Sequence, residues 1–421
     1  MKNYDFWMYT ILPISAISGG IGVILPLYIL AAHGTVYNVA IAITLFELVS
    51  IPAGLFWGEL TDRLNKIKLF VIISIIGLFP LLLILYFIAF VPVIESSYGV
   101  YAFIATASSP AINILIMSRK RNPALPRYYS RYSILAIVGG ILGTLPGLFI
   151  NSSLIKQYLI LLLVLNVIAL VMTYFFIQAD ESIKAKKKTQ KTVKKSFAIL
   201  NMLSVTPYIL TGHALIERIR AGLKVKKIRN IYILLATIAL FNLGLYLFNT
   251  SYIPYLSSKS IDYSNIFLIS ITNSIAQLGI YVGVVSFLKK MNLDRSYKMS
   301  LFIRSVGYTF VLIPAVILPR YILAFNLIGY FIAGIAYAVW NIASSVLLYQ
   351  EIRNLGRGHY IGIYTALVGL SAVAGAYASG IISAQLGYVI TFSAAIVAIF
   401  FSSVVFNYLV RQRGVPEKKN I

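Results

Sequence analysis

The sequence predicts an all-α polytopic membrane protein, with twelve transmembrane helices in two six-helix bundles. Three observations predict it. The chain has 421 residues, of which 59% are hydrophobic and only 11% charged, whereas soluble proteins are nearer a quarter charged. Apolar runs long enough to cross a bilayer as helices recur along its whole length. The basic residues collect in alternate connecting loops, as they do where a chain threads back and forth through a membrane.

In order, the spanning segments are Asp5–Leu30, Val39–Trp57, Leu69–Phe90, Tyr98–Met117, Tyr132–Ile150, Tyr158–Ile177, Ile231–Leu256, Ser264–Leu288, Met299–Leu318, Tyr321–Tyr349, Ile361–Ala384 and Tyr388–Val410. One set of loops carries Arg63, Lys66 and Lys68; Arg119, Lys120, Arg121 and Arg127; Lys289, Lys290, Arg295 and Lys298; Arg353 and Arg357; Arg411 and Arg413. The opposite set has only Lys156, Lys259 and Arg320. The positive-inside rule puts the first set, and both termini, in the cytoplasm, with the chain in the cytoplasmic membrane. The first segment is too long for a signal-peptide core and lacks a small-residue cleavage site, so it reads as a retained helix. A net charge of +24 then reflects topology rather than nucleic-acid binding. The absence of cysteine excludes disulfides, zinc-thiolate sites and cysteine nucleophiles.

Four regions follow: a bundle over residues 1–177, a basic linker over 178–230, a second bundle over 231–410, and a tail over 411–421. In the linker, Lys184 to Lys195 is lysine-rich, and disorder or lipid contact suits it. Phe197 to Leu210, interrupted by Pro207, is too short to span and suits an interfacial helix. His213 to Ile228 places Leu215, Ile219 and Leu223 on one stripe, as for a helix lying on the membrane surface. The halves form a weak repeat. Arg131–Ile150 carries Gly139, Gly140, Gly143 and Gly147; His359–Ile382 carries Gly362, Gly369, Gly375 and Gly380. Such spacing allows close helix contact. A shift that pairs Gly77 with Gly307 sets Asn292 opposite Asp62.

Between the second and third segments lies the polar stretch Gly58-Glu59-Leu60-Thr61-Asp62-Arg63-Leu64-Asn65-Lys66-Ile67-Lys68. It reads as a tight membrane-surface turn, with Gly58 admitting a neighbouring helix. The pattern resembles the signature loop between helices 2 and 3 of the major facilitator superfamily (MFS): Gly58, Leu60, Asp62, Arg63 and Lys66 match, and Asn65 replaces a second glycine. The six-plus-six repeat and the spaced glycines of segments 5 and 11 extend the resemblance over nearly the whole chain. It implies the MFS fold, with helices 1, 4, 7 and 10 of the twelve around a central cavity and helices 2, 5, 8 and 11 as a moving seam. It also implies a cytoplasmic gate of Gly58, Asp62, Arg63 and Lys66, in which Asp62 meets the start of helix 11 near Tyr360.

Glu47 lies about 12 Å inside the second segment by helical rise. It shares a face with Thr44, Gly54 and Gly58, so its carboxyl should point into protein or a cavity. A carboxyl at that depth can exchange a proton as access alternates, which makes Glu47 the ion-coupling candidate; the alternative is a permanently protonated acid bonding across the seam between helices 2 and 11. Arg304 is expected to snorkel to the headgroups. Polar stripes mark the cavity: Thr106, Ser109 and Asn113; Ser15 and Ser18; Asn242, Tyr246 and Asn249; Ser270, Asn273 and Gln277; Asn326, Tyr330, Tyr337 and Asn341, with Trp340 beside them. The alternative for each is an interhelical hydrogen bond. This uncharged aromatic and amide lining suits a neutral or amphipathic solute.

The expected function is a secondary active transporter that moves a small organic solute by alternating access, with proton-coupled efflux as one mode. Sugar or organic-acid uptake is the alternative, as is a non-transporting membrane sensor of the same fold. The partners expected are a small-molecule substrate, membrane lipids and protons as candidate coupling ion, with no nucleic acid and a monomeric chain. No cofactor, metal or enzyme activity is expected: the sequence lacks a phosphate-binding loop, a paired-carboxylate site and His residues at ligand spacing.

Overall fold

Backbone hydrogen bonds have no water to turn to inside a bilayer, so each apolar run closes them internally as a helix. The computed structural model of the chain describes residues 6–64, 66–119, 125–177, 226–287, 292–317, 319–352 and 357–414. Among these are twelve helices long and apolar enough to span, at Phe6–Ala31, Val36–Thr61, Ile67–Phe87, Val91–Ile116, Arg131–Phe149, Ile155–Phe176, Asn230–Ser258, Tyr263–Gly283, Leu293–Val316, Ile322–Leu348, Ile363–Leu386 and Tyr388–Val410. They are called spans 1 to 12 below. The side bearing the lysine- and arginine-rich loops is called the basic face, and the other side the far face. Most of the linker, residues 178–225, and the end of the tail lie outside the described residues, as do the expectations made for them.

The packing repeats between halves. Span 1 packs on spans 5 and 6, as span 7 packs on spans 11 and 12. Span 2 packs on span 4, as span 8 packs on span 10; span 3 packs on spans 4 and 6, as span 9 packs on spans 10 and 12. The halves join where span 2 meets span 11 and where span 5 meets span 8, again as matched pairs.

Glycine makes these approaches possible in both bundles. A Cβ on Gly143 of span 5 would fall on the backbone of Ala16 in span 1, and one on Gly139 on the carbonyl of Leu12. In the second half, a Cβ on Gly375 of span 11 would lie 2.6 Å from the Leu243 carbonyl of span 7. Gly77 rests on Ile104 of span 4, and its repeat partner Gly307 rests on Gly329 and Ala333 of span 10. The pairing of Gly77 with Gly307 is thus a pairing of equivalent helix contacts.

The structure corrects several expectations. The Gly58 stretch is mostly helix: one helix runs from Val36 through Leu64 and the next begins at Ile67, which leaves only the residues between them for the turn. Thr61 returns its hydroxyl to the Trp57 carbonyl at 2.6 Å, and Arg63 pairs with Glu59 one turn back, so the helix continues past Gly58. The fourth span starts at Val91, not Tyr98, because Pro92 sits in the first turn, where its missing N–H is not needed. The helix containing span 7 starts at Lys226 and the last helix runs to Gly414, while the spans within them, Asn230–Ser258 and Tyr388–Val410, keep to the expected limits within two residues.

Arg304 does not snorkel. It is only 3% exposed. Its guanidinium donates to the Ala333 carbonyl and to Tyr308 Oη at 2.7 Å. It also lies 4.7 Å from the centre of the Tyr308 ring and 5.8 Å from that of Tyr337. A buried cation costs several kcal/mol unless it is answered locally. A carbonyl, a hydroxyl and two π faces answer it here.

Close packing at Gly143 gives a direct test. Gly143→Val should abolish most recoverable monodisperse protein in detergent, because the added atoms meet backbone that cannot move aside. Gly279→Ala, where nothing lies within 4 Å, should leave yield and melting temperature within the wild-type range. Size-exclusion profiles of the two variants check both.

Candidate solute cavity and gate

Glu47 stands mid-helix in span 2, and the fold brings span 7 opposite. Tyr246 Oη donates to Glu47 Oε1 at 2.8 Å. The acid of one half is therefore held by a tyrosine of the other. The bond expected across the seam between spans 2 and 11 is made instead to span 7, whose Tyr246 backs onto Gly375 of span 11.

Contacts between the halves gather toward the far face. Gly380 of span 11 lies against Ala40 and Tyr37 of span 2, and Gly369 meets Ile51. Gly147, at the end of span 5, lies against the ring of Phe267 in span 8. That ring makes an edge contact with Tyr158 at 5.4 Å. On the basic-face portions of spans 2 and 8, by contrast, Gly58, Gly279 and Gly283 have open space where a side chain would be. Among the described residues, the close helix approach expected at Gly58 is absent.

A cavity of about 260 Å³ opens between spans 1, 5, 7, 8 and 10. Gly19, Gly22 and Gly140 leave it room on the first-half side, with Thr144 beside them; Asn249, Tyr252, Ser270, Asn273, Ser274 and Tyr330 line the other side. Of the expected cavity residues, Asn249 and Tyr330 line this space and bond to each other at 3.3 Å. Tyr246 instead holds Glu47. Asn326 is buried and accepts from Tyr252 at 2.9 Å. Asn242 is buried and returns its amide to Ile238 at 2.8 Å. Trp340 is buried, stacked on Phe241 at 3.9 Å, and Asn341 donates to Tyr281 at 2.6 Å. Tyr337 lies beside Arg304, and Asn113 is exposed. Hence Asn326, Trp340 and Asn341 make contacts between helices, the alternative expected for single polar groups, while Asn242 bonds within its own helix.

At the gate, Arg63 is exposed and bonded to Glu59, and Lys66 is exposed at the start of the third span. The side chains of Asp62 and Tyr360 lie outside the described residues, and so does their expected meeting. Sequence reasoning missed Glu95, which is buried in span 4 and accepts from Asn38 of span 2 at 2.9 Å. Starting that segment at Tyr98 had left Glu95 in a loop. It also missed Thr144 and the glycines Gly19, Gly22 and Gly140; the run Gly19-Gly20-Ile21-Gly22 was the available signal. Among the described residues, no group of three or more acidic or histidine side chains could hold a metal.

Comparison with known proteins agrees with this architecture. The family profile described as Major Facilitator Superfamily matches residues 8–356. The chain belongs to the major facilitator superfamily. Among solved structures, that of the nucleoside transporter NupG aligns over 99% of this chain and 100% of its own, with TM-score 0.69 and 13% identity. The peptide transporter POT, as a mutant in complex with sulfate, aligns over 97% of this chain and 94% of its own, with TM-score 0.68 and 12% identity. At such identities these likenesses speak for the fold alone. No curated protein matches the chain in sequence. This MFS chain is thus a multi-pass membrane protein of transporter architecture.

The Glu47–Tyr246 bond can be tested through the far face. The chain has no native cysteine, so spin labels can be placed at positions 35 and 386 alone. Tyr246→Phe should broaden the distance distribution between them and lengthen its mean. An unchanged distribution would show that the bond contributes nothing to holding the halves together.

Proposed function

We propose that this MFS protein is a secondary transporter that carries a small organic solute across the membrane by alternating access, with Glu47 as the group that couples solute movement to protons. The observation that carries the reading is the bond from Tyr246 to Glu47, which joins the two bundles through a protonatable group in mid-membrane. Rocking the halves must break this bond, and the state of the carboxyl alters its strength. A hydrogen bond to a charged group is worth about 1.5–3 kcal/mol, against about 1 for a neutral pair. Proton loading therefore changes how firmly the halves hold each other. The cavity lined by residues of both halves supports the same reading, since a solute bound there is shared between the moving parts.

If the basic loops face the cytoplasm, the arrangement described is closed on the outer side. The gate is then the basic-face end of span 2, with Gly58, Asp62, Arg63 and Lys66. Open space beside Gly58 is the room that span 11 would occupy when that side closes. An anion at a helix N-terminus is worth roughly 0.3–1 kcal/mol, enough for Asp62 to bias the closed form without locking it.

In proteoliposomes, Glu47→Gln should abolish solute accumulation driven by a pH gradient while equilibrative exchange survives. Full retention of pH-driven accumulation would remove the coupling role. Asp62→Asn should slow transport at least about five-fold by shifting the chain toward the form open at the basic face. Unchanged flux, together with unchanged accessibility of a label at position 58, would remove the gating role.

A further inference from the structure

The chemical class of the solute can be read from which hydrogen-bond protons the cavity has left to give. Thr144 Oγ1 donates back along its own helix to the Gly140 and Ile141 carbonyls, each at 3.0 Å. Ser270 donates to Ile266 O and Ser274 to Ser270 O, both at 3.1 Å. Tyr252 gives its proton to Asn326 Oδ1 at 2.9 Å, and Tyr330 gives its own to Asn249 Oδ1 at 3.3 Å. A hydroxyl has one proton and two lone pairs. Every hydroxyl in the lining has thus spent its proton inside the protein and offers the cavity oxygen lone pairs. The donors left over are the amide nitrogen of Asn249 and the second N–H of Asn273, whose first goes to the Tyr330 carbonyl at 2.7 Å.

Such a lining repels an anion. A carboxylate or phosphate needs several donors converging on it, and this cavity presents mostly oxygen. No charged side chain is among its lining residues. An ammonium is opposed for a different reason. Arg304 sits one layer behind the wall, over the ring of Tyr308. That ring stacks on Phe248 at 3.6 Å, and Phe248 lies beside Tyr252 and Tyr330. In a poorly screened interior, a fixed cation at that remove still acts on a second one.

What remains is an uncharged solute rich in O–H or N–H donors. The rings of Tyr252 and Tyr330 are stacked at 4.3 Å and give the wall an aromatic flank, against which a ring's C–H face can lie. A space of about 260 Å³ has room for one hydroxylated ring rather than a long chain. We propose that the cavity selects uncharged polyhydroxy solutes, of the size of a sugar or a nucleoside, by accepting hydrogen bonds from their hydroxyl groups. This rests on reading the cavity as the transported solute's site.

The test uses the purified full-length chain in nanodiscs and ligand analogues rather than variants, so folding is not in question. The probes are glucose, mannitol, uridine and adenosine. Their charged counterparts are glucose 6-phosphate, gluconate and glucosamine, mannitol 1-phosphate, and the nucleoside monophosphates. At least one uncharged probe should raise the melting temperature in a dose-dependent way, and its charged counterparts should not. Deoxyfluoro analogues of that probe keep an acceptor and lose the donor. At the hydroxyls that face the lining they should bind at least about ten-fold more weakly, as sites built around a specific donor reject its absence. The proposal is overturned if only charged counterparts stabilise the chain, if no uncharged probe does, or if every fluoro analogue binds as tightly as its parent. Flux in proteoliposomes separates this from the transporter reading. A probe that binds but is not moved removes transport and leaves the selectivity standing. Carriage of charged solutes alone leaves transport standing and removes the selectivity.

Discussion

A polar group inside hydrocarbon must find its partner within the protein, since no water will supply one. That requirement shapes the interior here more than any single motif. In the second bundle Ser251, Ser379, Ser383 and Thr391 form a buried chain of hydroxyls joining spans 7, 11 and 12, at 2.5–2.7 Å between oxygens. The terminal nitrogens of Arg304 are met by a carbonyl and a phenol, and two rings flank its guanidinium. In the first bundle the same work is done by isolated bonds between spans, such as Trp57 Nε1 to the Phe103 carbonyl at 2.6 Å and Asn166 to the Ile75 carbonyl at 3.1 Å. Each such bond is worth on average about 0.6 kcal/mol in a membrane. The polar network therefore fixes which helices face each other more than it adds stability.

Glycine supplies the complementary device. Apolar side chains gain little by leaving lipid for each other, so helices hold together where backbones can touch. The contact of Gly139 and Gly143 with span 1 has its counterpart in the contact of Gly375 with span 7. Each fixes a helix of the seam against the first helix of its own bundle. The seam helices then present Gly147 and Gly380 to the opposite half. A bundle that touches its twin through small residues can tilt as one piece.

Much of this was legible in the sequence, and the failures share a cause. The twelve spans, the repeat and the cavity residues Asn249 and Tyr330 follow from hydropathy and helical spacing alone, because a membrane leaves one solution for each apolar run. Spacing gives a helix face but not the neighbour that covers it. Asn242 and Asn326 lie on the same stripes as Asn249 and Tyr330, yet one bonds within its own helix and the other accepts from Tyr252. Arg304 was misplaced for the same reason. Its distance from the helix end suits snorkelling, and only the approach of span 10, allowed by Gly307 and Gly329, brings the Ala333 carbonyl within reach. Glu95 was lost to a boundary error, since Pro92 reads equally well as a loop or as a first helical turn.

Arg304 and Glu47 divide the work unequally. Arg304 is enclosed within one bundle, so a movement of one half against the other would leave its contacts unchanged. Glu47 can lose its charge, and its one described partner lies on the other bundle. A switch needs a group whose contact is both broken by the motion and changed by the ligand; only the second of these residues meets both conditions. That asymmetry explains why the fold tolerates a permanent cation deep in the second half. Surrounded by the Ala333 carbonyl, the Tyr308 phenol and two rings, it asks nothing of the interface between the halves, where Glu47 meets Tyr246.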